Sequence, residues 1–110
     1  MESKNSYKVF WTETAERDLE EIIDYIAIDS IDAAVKILFK LKTKAESLNL
    51  FPKRGRVVPE LRENDIFSYR ELIISPWRII YRISNEKVFV LAVLDGRRDL
   101  SSILLERLVR

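Results

Sequence analysis

The sequence predicts an α+β fold in which an N-terminal helical hairpin packs on one face of a mostly antiparallel sheet. Two successive segments near the N-terminus repeat apolar residues with the period of a helix. Further along, Trp77–Ile83 alternates between two faces as a half-buried strand does, and Val88–Leu94 is apolar throughout, as in a strand covered on both faces. Together these patterns predict the element order β-α-α-β-β-β-α.

The N-terminal half begins with a predicted strand, Tyr7–Trp11, which is aromatic and β-branched. Thr12 suits the N-cap of a first helix, and Ser30 the cap of a second helix that ends at Phe51, before a proline. Because the connection is so short, the two helices must run antiparallel. Their apolar stripes comprise Ala15, Leu19, Ile22, Ile23 and Ile26 in the first helix and Ala34, Leu38, Leu41, Ala45 and Leu48 in the second.

The outer faces of the two helices carry opposite charge. Both are interpreted as solvated faces, because runs of surface charge usually are, and their spacing suggests no metal site or catalytic carboxylate pair. The residues are Glu16, Asp18, Glu20, Glu21 and Asp24 in the first helix and Lys36, Lys40, Lys42 and Lys44 in the second.

The C-terminal half has one long segment without periodicity, Pro52–Ser68, and loops of this length are often functional. Leu72–Ser75 is a predicted strand that stops at a proline, and a tight turn at Ser84–Lys87 joins the two stronger strands into an antiparallel hairpin. A final helix is predicted over Leu100–Val109. Its leucine side completes the core by default; a second copy or a partner protein are the alternatives.

The composition restricts the possible chemistry. The chain has 110 residues, of which 47% are hydrophobic and 34% charged, so we expect one domain over residues 1–110. It has no cysteine or histidine, which excludes disulfides, thiolate nucleophiles, Cys/His zinc sites and histidine acid–base chemistry. No apolar run approaches the ~18 residues of a membrane span, so a cytoplasmic protein without a membrane partner is expected. The net charge of +1 argues against bulk nucleic-acid binding.

Cations gather in the second half of the chain, and three groups of residues are candidates for binding a target. Arg78 and Arg82 share one face of a predicted strand, where they either converge on phosphates or carboxylates or form structural salt bridges. A second group lies in the long loop, where it forms either a mobile binding cluster or a solvated surface. A third group follows the last strand. The loop group comprises Lys53, Arg54 and Arg56, and the group after the last strand comprises Asp95, Arg97 and Arg98.

The turn after the last strand contains residues with an expected structural role and one candidate for binding a target. Gly96 permits a turn, and Asp99 is able to pair with Arg98, whereas Arg97 has no obvious local partner. No catalytic residue is predicted. Tyr81, Lys53 and Asp95 are the only conceivable general bases near the arginines, and Tyr81 shares its strand face with apolar residues, which favours a core position.

Five blocks of this sequence, in order, resemble the ParE branch of the RelE/ParE toxin superfamily over residues 7–99. The blocks are W-T-E-x-A-x-x-D-L-E-x-I-x-x-Y-I at 11–26, F-P-x-x-G-R-x-V-P-E-L at 51–61, R-E-L at 70–72, P-W-R-I-I-Y-R-I at 76–83 and V-L-D-G-R-R-D at 93–99. The chain departs from the usual ParE pattern at Asp95, where histidine is more common, and at Trp77, where tyrosine is.

The resemblance implies the toxin of a bacterial type II toxin–antitoxin module, often described as a plasmid stabilisation protein. Such toxins need no metal or organic cofactor and are held inactive by a cognate antitoxin, ParD-like or similar, through which alone they contact operator DNA. ParE-like members are associated with inhibition of DNA gyrase, which is the expected target. RelE-like members cut messenger RNA on the ribosome, with strand arginines stabilising the transition state.

Three functions therefore follow from the resemblance. The leading expectation is a non-enzymatic gyrase inhibitor. The alternatives are a ribosome-dependent endoribonuclease that uses Arg78, Arg82 and the loop cations, and an inactive toxin fold that serves only as a co-repressor. The antitoxin is expected to lay a helix in the groove of the helical hairpin or to add a strand to an exposed sheet edge.

Overall fold

The computed structural model describes residues 6–108 and confirms the α+β class. Its strands and helices, in chain order, are β1 (Lys8–Trp11), α1 (Glu13–Asp29), α2 (Ile31–Glu46), β2 (Arg56–Val57), α3 (Pro59–Arg62), β3 (Tyr69–Ile74), β4 (Trp77–Ser84), β5 (Lys87–Asp95) and α4 (Leu100–Leu108). A turn of 3-10 helix, Ser47–Asn49, follows α2.

The five strands form one sheet in the order β1-β5-β4-β3-β2. All neighbours are antiparallel except β1 and β5, which are parallel. The turn between β4 and β5 places Asn85 at a φ of 58°, a conformation that asparagine tolerates well. β1 is an edge strand of this sheet, whereas β3 is flanked by β4 and, at Arg70 and Glu71, by β2.

Both helices of the hairpin are capped by the residues that precede them. The Thr12 hydroxyl accepts the Ala15 N–H at 3.2 Å, and the Ser30 hydroxyl accepts the Ala33 N–H at 3.1 Å. Ser30 is the single residue between α1 and α2, so the helices must turn back on each other. The Thr12 hydroxyl also donates to the Val90 carbonyl at 3.0 Å, which joins the start of α1 to the centre of the sheet.

The sheet separates two apolar layers. On one face, α1 and α2 bury residues such as Leu19 and Leu41 against Ile79 and Tyr81. On the other, Leu100 and Leu104 of α4 and Leu61 of α3 pack with Ile80 and Leu94. The default expectation for the last helix is therefore confirmed over the described residues, and Val109 lies outside them.

A β-bulge lets β5 serve both layers. Tyr81 is opposite Val90 and Ile80 is opposite Ala92, so Leu91 is an extra residue in β5. The side-chain alternation therefore shifts by one at this point: Val90 faces α1 and α2 before the bulge, and Val93 does so after it.

Several predicted bounds were wrong. α2 ends at Glu46 rather than Phe51, because the chain tightens there into the 3-10 turn. Pro52–Ser68 is not wholly irregular, since it contains β2 and α3. β3 begins at Tyr69 rather than Leu72, because the strand extends along both of its neighbours.

The loop that contains Gly55 is fixed by the Tyr81 hydroxyl. That hydroxyl donates to the Pro52 carbonyl at 2.7 Å and accepts the Gly55 N–H at 3.0 Å. Gly55 is buried so closely that a Cβ there would lie 2.4 Å from the Glu71 carbonyl oxygen. The core position predicted for Tyr81 is confirmed, and its hydroxyl anchors the backbone on either side of Lys53 and Arg54, whose side chains are exposed.

We expect Tyr81→Phe to lower the free energy of unfolding by about 1–3 kcal/mol, because it leaves the buried Gly55 N–H and the Pro52 carbonyl without their partner. Urea denaturation measures the change. Tyr25→Phe removes the hydroxyl of a tyrosine that is 78% exposed and is the matched control, expected to be neutral. Equal stability of the two variants would contradict the anchoring role of the Tyr81 hydroxyl.

Candidate functional site

A network of four charged side chains lies at the junction of β2, β3, β4 and α3. The carboxylate of Glu71 is fully buried and accepts the Nε–H groups of Arg78 and Arg56, each at 2.6 Å. The two terminal nitrogens of Arg78 donate to the two carboxylate oxygens of Glu60, both at 2.7 Å. Arg78 is therefore enclosed by two acids and itself buried.

Strand register explains why these residues meet. Arg56 is directly opposite Glu71 between β2 and β3, while Arg78 is opposite Ile73 between β3 and β4. Since Glu71 and Ile73 share one face of β3, Glu71 is a diagonal neighbour of Arg78, within reach of a long side chain. Glu60 enters from the first turn of α3.

The network shifts the pKa values of Glu60 and Arg78 in the directions that favour charge. The hydrogen bonds from Arg78 lower the pKa of Glu60, against a smaller opposing effect of burial. The bonds to Glu60, and then those to Glu71, raise the pKa of Arg78. Both groups are consequently ionised at neutral pH.

The turn after β5 rests on this network. Gly96 packs so close to Arg78 that a Cβ there would lie 3.0 Å from the Arg78 Cδ, and the Gly96 N–H donates to the Pro76 carbonyl at 2.7 Å. Asp95 accepts the backbone N–H of Arg97 at 2.9 Å and its guanidinium at 2.6 and 2.9 Å. These bonds hold the pKa of Asp95 at about 2. Arg97 therefore does have a local partner, contrary to the sequence-based expectation.

The remaining candidates lie apart from the network. Arg82 lies four positions along β4 from Arg78, about 13 Å away, and is exposed. The Arg78 guanidinium is instead bound to Glu60 and Glu71, so the two guanidinium groups do not converge. Lys53 and Arg54 are exposed in the loop beside Tyr81, where Arg54 donates to the Ser47 hydroxyl at 3.0 Å. Arg98 is exposed in the turn.

The structure thus brings Arg56, Arg78 and the Asp95–Arg98 turn together, but not Arg82 or the loop pair Lys53 and Arg54. Sequence reasoning missed both glutamates of the network. For Glu71 a signal existed, since it is a lone acid beside apolar strand residues. For Glu60 there was none, because its position depends on the short helix α3.

Two further features concern ligands and membranes. Within residues 6–108, no group of three His, Cys, Asp or Glu side chains is placed to hold a metal ion. Over the same range, no helix is both long and apolar enough to cross a membrane.

Comparison with known proteins assigns the family. Residues 9–100 match the family model described as the ParE toxin of the type II toxin–antitoxin system parDE. The chain therefore belongs to the ParE toxin family and is a toxin of a type II toxin–antitoxin system, within the RelE/ParE superfamily.

Curated relatives and solved structures agree with this assignment. Toxin ParE3 of Caulobacter vibrioides is 29% identical over 86% of this chain and 92% of its own length. Toxin RelE2 of the same organism is 34% identical over 83% of this chain and 97% of its own length. A putative toxin of Sinorhizobium fredii, Y4kP, is 33% identical over 88% of this chain and 96% of its own length.

Two solved toxin–antitoxin structures share the fold. The chromosomal ParDE system of P. aeruginosa superposes with a TM-score of 0.68 at 19% identity, over 84% of this chain and 98% of that one. The RelBE2 complex of Mycobacterium tuberculosis gives a TM-score of 0.54 at 23% identity, over 86% of this chain and 97% of the matched chain.

We expect Glu71→Gln to lower the free energy of unfolding by about 3 kcal/mol, because it leaves two guanidinium groups facing a buried neutral side chain. Urea denaturation measures the effect. Glu13→Gln, at a glutamate whose side chain is 91% exposed, is the matched control and is expected to change stability little. A small effect at both positions would show that the buried carboxylate does not stabilise the fold.

The lowered pKa of Glu60 predicts a pH dependence. In the unfolded chain this carboxyl titrates near its ordinary value of 4.5, so its contribution is fully present above that value and is lost as pH falls through the folded pKa. We expect the stability difference between the wild-type protein and Glu60→Gln to shrink between about pH 6 and about pH 3. A difference that stays constant in urea titrations over this range would contradict the assignment.

Proposed function

We propose that this toxin acts without catalysis, by binding and inhibiting DNA gyrase, and that a cognate antitoxin neutralises it. The observation that carries the proposal is that the strand arginine on which an RNA-cleaving toxin would depend is engaged in structural contacts. Arg78, the central strand arginine, is enclosed by Glu60 and Glu71 and is not presented to a phosphate.

The candidate general bases support the same conclusion. The Tyr81 hydroxyl is used twice, as donor to Pro52 and acceptor from Gly55, and burial raises its pKa. Asp95, with a pKa of about 2, is far from the range near neutrality in which a general base is efficient. Lys53 remains exposed, but no acid–base partner accompanies it among the candidates.

The exposed cations that remain suit recognition of an acidic protein surface. The Arg97 side chain is 76% exposed even though Asp95 orients it, and Arg98 follows it in the same turn. Oriented guanidinium groups form strong bidentate bonds with carboxylates. We therefore assign the main target contact to this turn, with the exposed Lys53, Arg54 and Arg82 as further candidates.

Two surfaces suit the antitoxin. β1 is an edge strand, which leaves one side of its backbone open to strand addition. The groove between α1 and α2 is the other candidate, since an amphipathic helix fits such a surface. The structural relatives are themselves toxin–antitoxin systems, which supports an antitoxin partner.

A ribosome-dependent endoribonuclease is the second candidate, because toxin RelE2 is among the relatives at 34% identity. This function would rely on Arg82 and the loop cations, since the structure commits Arg78 elsewhere. The experiment that separates the two functions applies gyrase supercoiling and ribosome-dependent cleavage assays to the same purified protein. Inhibited supercoiling with intact messenger RNA supports the gyrase proposal, and cleaved messenger with normal supercoiling refutes it. Neither activity would favour the co-repressor.

We expect Arg97→Ala to weaken gyrase inhibition by about tenfold or more, because it removes an oriented guanidinium from the proposed contact. The inhibitory concentration in the supercoiling assay measures this loss. Arg62→Ala, which removes an exposed arginine of α3, is the matched control and is expected to inhibit like the wild-type protein. Equal potency of the two variants would remove the Asp95–Arg98 turn from the proposed target surface.

A further inference from the structure

The outer surface of the helical hairpin carries an exposed apolar stripe along α2. Ile31, Val35 and Phe39 follow one another at four-residue spacing and are 71%, 45% and 67% exposed. Leu38 and Lys42 follow on the same side of α2, three and seven residues after Val35. They line a cleft of about 450 Å³ between α1 and α2. The stripe therefore borders a cleft whose apolar lining residues are Leu19, Ile23 and Leu38 and whose other lining residues are charged.

Two rows of opposite charge flank this surface. Glu20 and Asp24 are exposed on α1 and line the cleft, while Lys36 and Lys40 are exposed on α2. Within residues 6–108, none of these four side chains has an ion-pair partner at 4.0 Å or less. Within each row the two residues are four positions apart, which is about one helical turn.

The two rows also stand at matching heights along the hairpin. The ion pair between Lys42 and Glu16, at 3.4 Å, sets the alignment of the antiparallel helices near their open end. Ser30 joins them at the other end. Counting from both ends, Glu20 lies level with Lys40, and Asp24 lies level with Lys36.

We propose that this face is a self-complementary interface on which a second copy of the chain docks. A two-fold axis parallel to the helices places α1 of the second copy over α2 of the first, at the same height. Glu20 of the second copy then meets Lys40, and its Asp24 meets Lys36, with the same pairs repeated by symmetry. An axis across the helices would instead stack acids on acids, so the charges select the first arrangement.

The size of the face indicates a weak, reversible dimer. A hairpin about 25 Å long and about 20 Å wide covers roughly 500 Å² per copy, or about 1,000 Å² in total, at the lower limit for a specific interface. The four ion pairs surround the apolar stripe and are accessible to salt. Dimerisation should therefore weaken as ionic strength rises.

Charge exchange tests the arrangement. The protein and two double variants, Glu20→Lys with Asp24→Lys and Lys36→Glu with Lys40→Glu, are made by cell-free synthesis, which avoids growth arrest. Sedimentation velocity over a concentration series measures association. We expect each variant alone to dissociate about tenfold more readily than the wild-type protein, because like charges then face each other. An equimolar mixture of the two variants should form heterodimers.

The controls change as much charge away from this face. Glu63→Lys with Glu86→Lys, and Lys8→Glu with Lys87→Glu, alter exposed residues and should leave association unchanged. Urea midpoints verify that every variant folds. A monomeric wild-type protein at all concentrations would overturn the proposal, as would variants that fail to associate when mixed. Monomers whose hairpin variants lose a complex with the small protein encoded beside the toxin would assign the face to the antitoxin instead.

Discussion

The buried carboxylate of Glu71 is the constraint on which the C-terminal half of the molecule depends. An ionised carboxylate without solvent exposure is stable only when cations and hydrogen bonds replace its water. Arg56 and Arg78 supply both, and they come from the strands on either side of β3. Arg78 also donates two hydrogen bonds to Glu60 on α3, so the same set of charges holds α3 against the sheet.

This network also restricts the register of the sheet. If β3 slipped by one residue, Glu71 would turn to the other face, where Ile79 and Tyr81 pack against the helical hairpin. A carboxylate there would be buried among apolar groups without its arginines. A buried ion pair often adds little net stability compared with apolar packing, so its contribution here lies in excluding that alternative.

A second carboxylate joins the two layers across the sheet. Asp18 on α1 accepts the Val93 N–H at 3.0 Å and both terminal nitrogens of Arg107 at 2.9 and 3.1 Å. Arg107 belongs to α4, so an acid on the hairpin side positions the helix that covers the opposite face. The outer acidic face of α1 is therefore not uniform, because Asp18 contributes to the fold while Glu20 and Asp24 remain exposed.

The sequence was sufficient to predict the elements in which apolar residues recur with a regular period. Helices α1 and α2 and strands β4 and β5 have lengths over which a period of 3.6 or 2 is visible, and the caps at Thr12 and Ser30 lie where they were expected. Elements of two and four residues, β2 and α3, contain no full period and were missed. The bulge at Leu91 was also invisible, because a strand that is apolar at every position shows no change of alternation.

The site was less predictable than the fold because the role of an arginine depends on the acids that tertiary structure brings to it. Arg78 and Arg82 look alike on their strand, yet one meets two glutamates and the other faces solvent. Their difference arises from the register between β3 and β4 and from the position of α3, neither of which the local sequence contains. Arg97 was the opposite case, since its partner Asp95 lay two residues away and only the turn geometry was missing.

That turn gives a physical role to the aspartate at position 95, which histidine could not fill in the same way. A carboxylate supplies two acceptor oxygens, and Asp95 uses them to hold both the backbone and the guanidinium of Arg97. A neutral histidine offers one acceptor and cannot form the same bidentate contact. The aspartate lowers the positive charge of the turn but fixes the orientation of Arg97, which reduces the conformational entropy lost when that side chain binds. For the target contact that we propose, the turn therefore favours directional recognition of a carboxylate over general attraction of polyanions.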